Sequence, residues 1–128
     1  MARKLDQYGI PELTTLDSQL EEFCRNLDLH DDEENESGKN LTILLIYRAI
    51  GGIEGAGVFG FADQVWDLEG TLDAFKTIGC EELAGKIEHM NANDSLITDV
   101  NVRREMEEDV YELLQTASEK LLEFWKRG

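Results

Sequence analysis

The chain has 128 residues, 28 Asp and Glu against 12 Lys and Arg, and a formal net charge of −16. That length fits one domain with a self-sufficient core. With 41% apolar residues in periodic order it is not a disordered polyanion, and the acid argues against direct binding to nucleic acid or to an anionic membrane.

Taken in chain order, Pro11 stands where a helix starts, because its missing N–H costs nothing at the first helical position. Leu13, Leu16, Leu20, Phe23 and Leu27 follow at three- and four-residue steps, the stripe of a first helix. Asp17, Glu21 and Asp28 flank the stripe, and the run Asp31, Asp32, Glu33, Glu34, Asn35, Glu36 reads as a solvated loop. Asn40 has the chemistry of an N-cap for a second helix, which Leu41, Leu44, Leu45, Tyr47 and Ala49 carry to Gly51-Gly52. A short aromatic-rich segment spans 57–67. A third helix is predicted from Glu69 through Leu72, Phe75 and Ile78, with Gly79 as its C-cap. Glu81 and Glu82 open a fourth, where the macrodipole favours acids, with Leu83, Ala84, Ile87 and Met90 inward. After a polar connection over 91–99 comes a long last helix, its inner face made of Val102, Met106, Val110, Leu113, Leu114, Ala117, Leu121, Phe124 and Trp125. No two-residue alternation and no hairpin signal occurs. The expected fold is all-α, a single domain of five or six helices.

The acid is concentrated. Between Leu5 and Gly38 stand eleven acidic residues and Arg25 alone; Glu105 to Trp125 holds seven against Lys120. Self-repulsion on this scale opposes folding, and a basic partner surface is expected to offset it, met first by the dense run Asp31, Asp32, Glu33, Glu34 and Glu36 and second by the regularly spaced acid of the last helix. Helical residues four apart lie about 6 Å apart along the axis, near two base steps of a strand whose phosphates advance about 3.4 Å each. Asp17, Glu21 and Asp28 make one such row. Glu105, Glu108, Glu112, Glu119 and Glu123 make another, in which Glu108–Glu112 and Glu119–Glu123 are like-charge pairs that an ordinary solvated face avoids.

Other chemistry finds little support. Gly55-Ala56-Gly57-Val58-Phe59-Gly60 spells the dinucleotide-binding G-x-G-x-x-G, but no strand feeds it and Glu54 precedes it. The five glycines between 51 and 60 are read as permitting close helix approach and positive φ. His30 and His89 lack a Glu three residues before them, and the 31–36 run lacks a calcium-loop register. Cys24 and Cys80 sit among acids in apolar helical positions and are read as reduced core thiols. The expectation is therefore no catalytic residues, no metal and no cofactor. No signal peptide follows Met1, the longest apolar run is Ile43–Tyr47, and a cytoplasmic location is expected.

Residues 44–90 resemble the acidic bacterial DNA-mimic protein family, an all-helical group among the domains of unknown function. The likeness lies in a helix entering a Gly-rich aromatic segment (Gly55, Gly57, Phe59, Phe61, Ala62), then Leu72-Asp73-Ala74-Phe75-Lys76-Thr77-Ile78-Gly79-Cys80-Glu81-Glu82-Leu83-Ala84. The chain has Gly57-Val58-Phe59 where the family shows Asn-Gly-Gly-Phe. The resemblance implies an acidic protein that binds a DNA-binding protein in place of DNA. The expected partner is thus a basic nucleic-acid-binding protein: a repressor, a nuclease, or a CRISPR-type effector if the chain is phage-encoded. An immunity protein neutralising a basic nuclease toxin is the nearest alternative, and a helical domain whose acid serves solubility is the other. A homodimer is left open.

Overall fold

A computed structural model describes residues 16–30, 38–65 and 67–127. Five helices and no strand occur among them: α1 (Ser18–His30), α2 (Gly38–Gln64), α3 (Leu68–Thr77), α4 (Glu81–Ala92) and α5 (Val100–Lys126). The all-α expectation holds, with five helices. Pro11 and the run 31–36 lie outside the described residues.

The bundle is organised around α2, which packs against each of the other four helices. Its buried residues include Ile43, Leu44, Leu45 and Ile46 in succession, then Ala49, Ile50 and Ile53. Four consecutive buried positions cover every side of the helix over that turn, while Tyr47, Arg48 and Glu54 further along are partly exposed. By length and composition α2 is apolar enough to cross a membrane, although its longest unbroken apolar run is short. Here that apolarity is met by the surrounding helices.

Two expectations about α2 are corrected. It begins at Gly38 (φ 60°) rather than at Asn40, which lies within the helix. It also does not stop at Gly51-Gly52 but runs through to Gln64, breaking at Gly57 (φ 76°, ψ 171°). Burial overrides the poor helix propensity of the glycine pair. At Gly52 the missing Cβ has a packing reason, since it would stand 2.7 Å from Cδ1 of Phe61, a buried ring beyond the break. Residues 58–64 of the aromatic-rich segment are thus the last turns of α2.

Helix ends are set locally. Asp17 accepts from the amides of Gln19 and Leu20 at the start of α1. Asp67 accepts from Gly70 N at 2.9 Å and starts α3 just ahead of the expected Glu69. At the end of α3, Gly79 (φ 89°) donates to Lys76 O and Cys80 donates to Phe75 O, the paired bonds of a Schellman motif. Asp99 accepts from Asn101 N and Val102 N to begin α5. The expected inner faces of α3 and α4 are buried throughout. On α5, Val110, Leu114, Ala117 and Leu121 are buried, but Val102 is 45% exposed because it lies about 90° round the helix from that stripe.

Candidate interaction surface

The outer face of α5 keeps its acid in a row. At about 100° per residue, Glu105, Glu108, Glu112, Glu119 and Glu123 fall within an arc of about 60°, diametrically opposite the buried Val110, Leu114, Ala117 and Leu121. Glu105, Glu108, Glu119 and Glu123 are exposed and have no hydrogen bond or ion pair among the described residues; Glu112 is half-buried and engaged. The packing of the helix therefore dictates where the acid points: burying one stripe turns the carboxylates to the outside.

The α1 acids are differently placed. Asp17 is spent on capping its own helix. Glu21 lies 3.5 Å from Arg25, and Asp28 accepts a 2.6 Å hydrogen bond from Arg48 of α2. Glu21 and Asp28 do come together, in a groove between α1 and α2 that Arg48, Tyr47 and Glu54 also line. Asp31, Asp32, Glu33, Glu34 and Glu36 lie outside the described residues.

Most of the bases have structural duties. Lys39 donates to Trp125 O at 2.9 Å and stands 5.7 Å above the Phe124 ring. Lys120 donates to Gly79 O at 2.8 Å, closing the end of α3. Arg103 stacks 3.7 Å over Phe59 while donating to Ile97 O, Asp94 O and the Asp94 carboxylate, which fastens the 94–97 connection to the bundle. These three cations turn toward the bundle, whereas Arg104, Lys126 and, Glu112 apart, the row of acid on α5 are exposed.

Sequence reasoning passed over two charged residues. Glu107 Oε1 accepts from Val58 N at 2.9 Å, capping the turns of α2 that restart after Gly57. Arg103 is the other. Both sit on the apolar side of α5, in step with Val110 and Leu114, and that placement was the available signal. A charge on a buried stripe needs a partner.

Within the Gly-rich sequence Gly52 and Gly57 act in packing, whereas a Cβ at Gly51 or Gly55 would meet no neighbour. Gly57 lies in a backbone region open essentially to glycine, and a Cβ there would stand 2.8 Å from Glu107 Oε1. The amide that would face a phosphate in a nucleotide-binding loop faces this carboxylate instead. Cys24 and Cys80 are buried free thiols. Burial, then Glu21 and Asp28, pushes the Cys24 thiol up to about 12; burial also raises Cys80, with Lys120 opposing. Neither supplies a thiolate nucleophile near neutrality. Among the described residues no group of three His, Cys, Asp or Glu side chains is arranged to hold a metal ion.

Comparison with models of protein families, with curated proteins and with solved structures finds no match to this chain.

Proposed function

We propose that this protein is a non-enzymatic cytoplasmic binding protein whose acidic helical surface occupies the basic groove of a nucleic-acid-binding protein. The observation that carries the reading is the carboxylate row on α5, set opposite the core and, apart from Glu112, without internal cations.

Its spacing bears on what is imitated. Glu105 to Glu123 spans about 27 Å of helix axis, so five carboxylates give a mean gap of about 7 Å. Duplex DNA carries a charge about every 1.7 Å of axis, and one strand about every 3.4 Å. One helix face therefore reproduces alternate phosphates of a single strand. It suits a partner groove that tracks one backbone, and the resemblance to acidic DNA-mimic proteins points the same way. Binding of this kind is steered by charge and weakens as salt rises.

The test is affinity capture on immobilised protein from a cell lysate, eluted with duplex DNA or single-stranded DNA at constant salt. The reading expects nucleic-acid-binding proteins to be retained and released by DNA. It further expects a quadruple variant, Glu105→Gln, Glu108→Gln, Glu112→Gln and Glu119→Gln, to retain few of them. An unchanged set of retained proteins on that variant would contradict it.

A further inference from the structure

Beside the α5 row, a groove of about 290 Å³ runs between α4 and α5. Buried Met90 and half-buried Met106 line it, together with His89 and the carboxylates of Glu82 and Asp109. Lys86 also lines it and stands 4.0 Å from Asp109, the outer limit of an ion pair, with both groups well exposed.

Gly85, like Gly51 and Gly55 of α2, is a helical glycine that packing leaves unexplained. It sits inside α4, where glycine is less favourable than alanine by roughly 1 kcal/mol, yet a Cβ there would meet nothing within 4 Å. Gly52 and Gly57 make room for a neighbour; Gly85 makes room for none of the described residues. What it leaves open is the groove it lines.

We infer that the α4/α5 groove receives an arginine side chain of the basic partner. This rests on the proposed function and names the group recognised. Methionine thioethers are soft, adaptable surfaces for an apolar stem and a flat, weakly hydrated guanidinium. The two carboxylates offer acceptors to the guanidinium fork, and Lys86 is held loosely enough to give way. The molecule already contains such an arrangement: in the groove between α1 and α2, lined by Glu21, Asp28 and Glu54, its own Arg48 binds Asp28. The α4/α5 groove has the carboxylates without the arginine.

The test uses full-length protein carrying ¹³C-methyl methionine, titrated at physiological salt with nona-arginine and, separately, nona-lysine. Met90 and Met106 report on the groove. The inference expects nona-arginine to shift both methyl resonances and to bind about tenfold more tightly than nona-lysine. It expects Gly85→Leu, which fills the groove at unchanged charge and favours the helix, to weaken nona-arginine binding about fivefold. Equal binding of the two peptides, still methyl resonances in the bound state, or full affinity in Gly85→Leu would each overturn it. Failure of the proposed function has a different signature. If removing the α5 carboxylates weakens peptide binding while the methyls never move, the charged face stands and the groove does not. If the groove responds but DNA displaces no partner from the immobilised protein, the groove stands and the mimicry does not.

Discussion

The flank formed by α1 and α2 and the outer face of α5 are both rich in acid, and they use it in opposite ways. On the first, Asp17 caps a helix, Glu21 faces Arg25 and Asp28 holds Arg48. On the second, Glu105, Glu108, Glu119 and Glu123 reach solvent with no partner among the described residues. The difference teaches that acidity by itself does not mark an interaction surface in this chain. What separates the two regions is where the cations go. Arg25 and Arg48 are close to the α1 acids, whereas on α5 Arg103 lies on the buried side and Lys120 reaches across to Gly79 O. A carboxylate that stabilises the fold and one held ready for a partner respond differently to neutralisation, and that contrast can be measured.

The largest effect belongs to the inward acid of α5. Gly57→Ala forces a backbone conformation that alanine resists and drives a Cβ against Glu107, so urea denaturation should show a loss of about 3 kcal/mol. Glu107→Ala should lose less, about 1–2 kcal/mol, because it leaves Val58 N without its acceptor. A loss of stability from removing a negative charge, in a chain of net charge −16, would show that Glu107 belongs with the structural acids.

Burial of Cys24, with Glu21 and Asp28 beside it, gives a pH signature. The folded thiol is raised to about 12, whereas an unfolded one titrates near 9. Below pH 9 both forms are protonated and nothing is gained or lost. Above it the unfolded chain releases a proton that the folded chain keeps, so stability falls as pH rises from about 9 toward 12. By pH 10.5 the loss from Cys24 is about 2 kcal/mol. Denaturant midpoints measured at pH 8 and pH 10.5 should fall further in the parent than in Cys24→Ala, in which the raised Cys80 and Tyr47 still contribute.

Smaller effects separate the two acidic regions directly. Asp28→Asn should destabilise by about 0.5–1 kcal/mol, the range of partly exposed ion pairs, as read by chemical denaturation. Glu105→Gln, Glu108→Gln and Glu119→Gln together should raise the Tm by about 2 °C at low salt, and the gain should vanish in 0.5 M NaCl, where self-repulsion is screened. A rise in Tm for Asp28→Asn, or a fall for the α5 set, would erase the distinction between the regions.

Much of the fold was legible because its punctuation is local. Gly79 followed by Glu81 and Glu82 ends one helix and begins the next through a Schellman motif and favourable first-turn acids, both of which depend on near neighbours. Long-range packing was harder to read. Gly51-Gly52 looks like a stop, yet α2 continues because Phe61 folds back over Gly52 and because Ala49, Ile50 and Ile53 around the pair are buried. Asn40 has cap chemistry that the chain does not use, since α2 already begins at Gly38. Val102 is apolar like the inner stripe of α5 but lies about 90° round the helix from it. On the α5 surface the row itself was visible in the spacing of glutamates. That Glu107 caps the restart of α2 and that Asp28 is matched by Arg48 depends on which helices meet, which no local pattern encodes.

The central claim is that the outward carboxylates of α5, rather than negative charge in general, engage a basic nucleic-acid-binding partner. The direct measurement is side-by-side capture from one lysate on three immobilised proteins: the parent, the α5 variant (Glu105→Gln, Glu108→Gln, Glu119→Gln, Glu123→Gln), and an α1 variant (Glu21→Gln, Asp28→Asn). DNA-displaceable proteins are then quantified on each. The account predicts that the α5 variant loses most of them while the α1 variant, with its neutralised pair of carboxylates, keeps them. Equal retention on all three, or loss confined to the α1 variant, would contradict it.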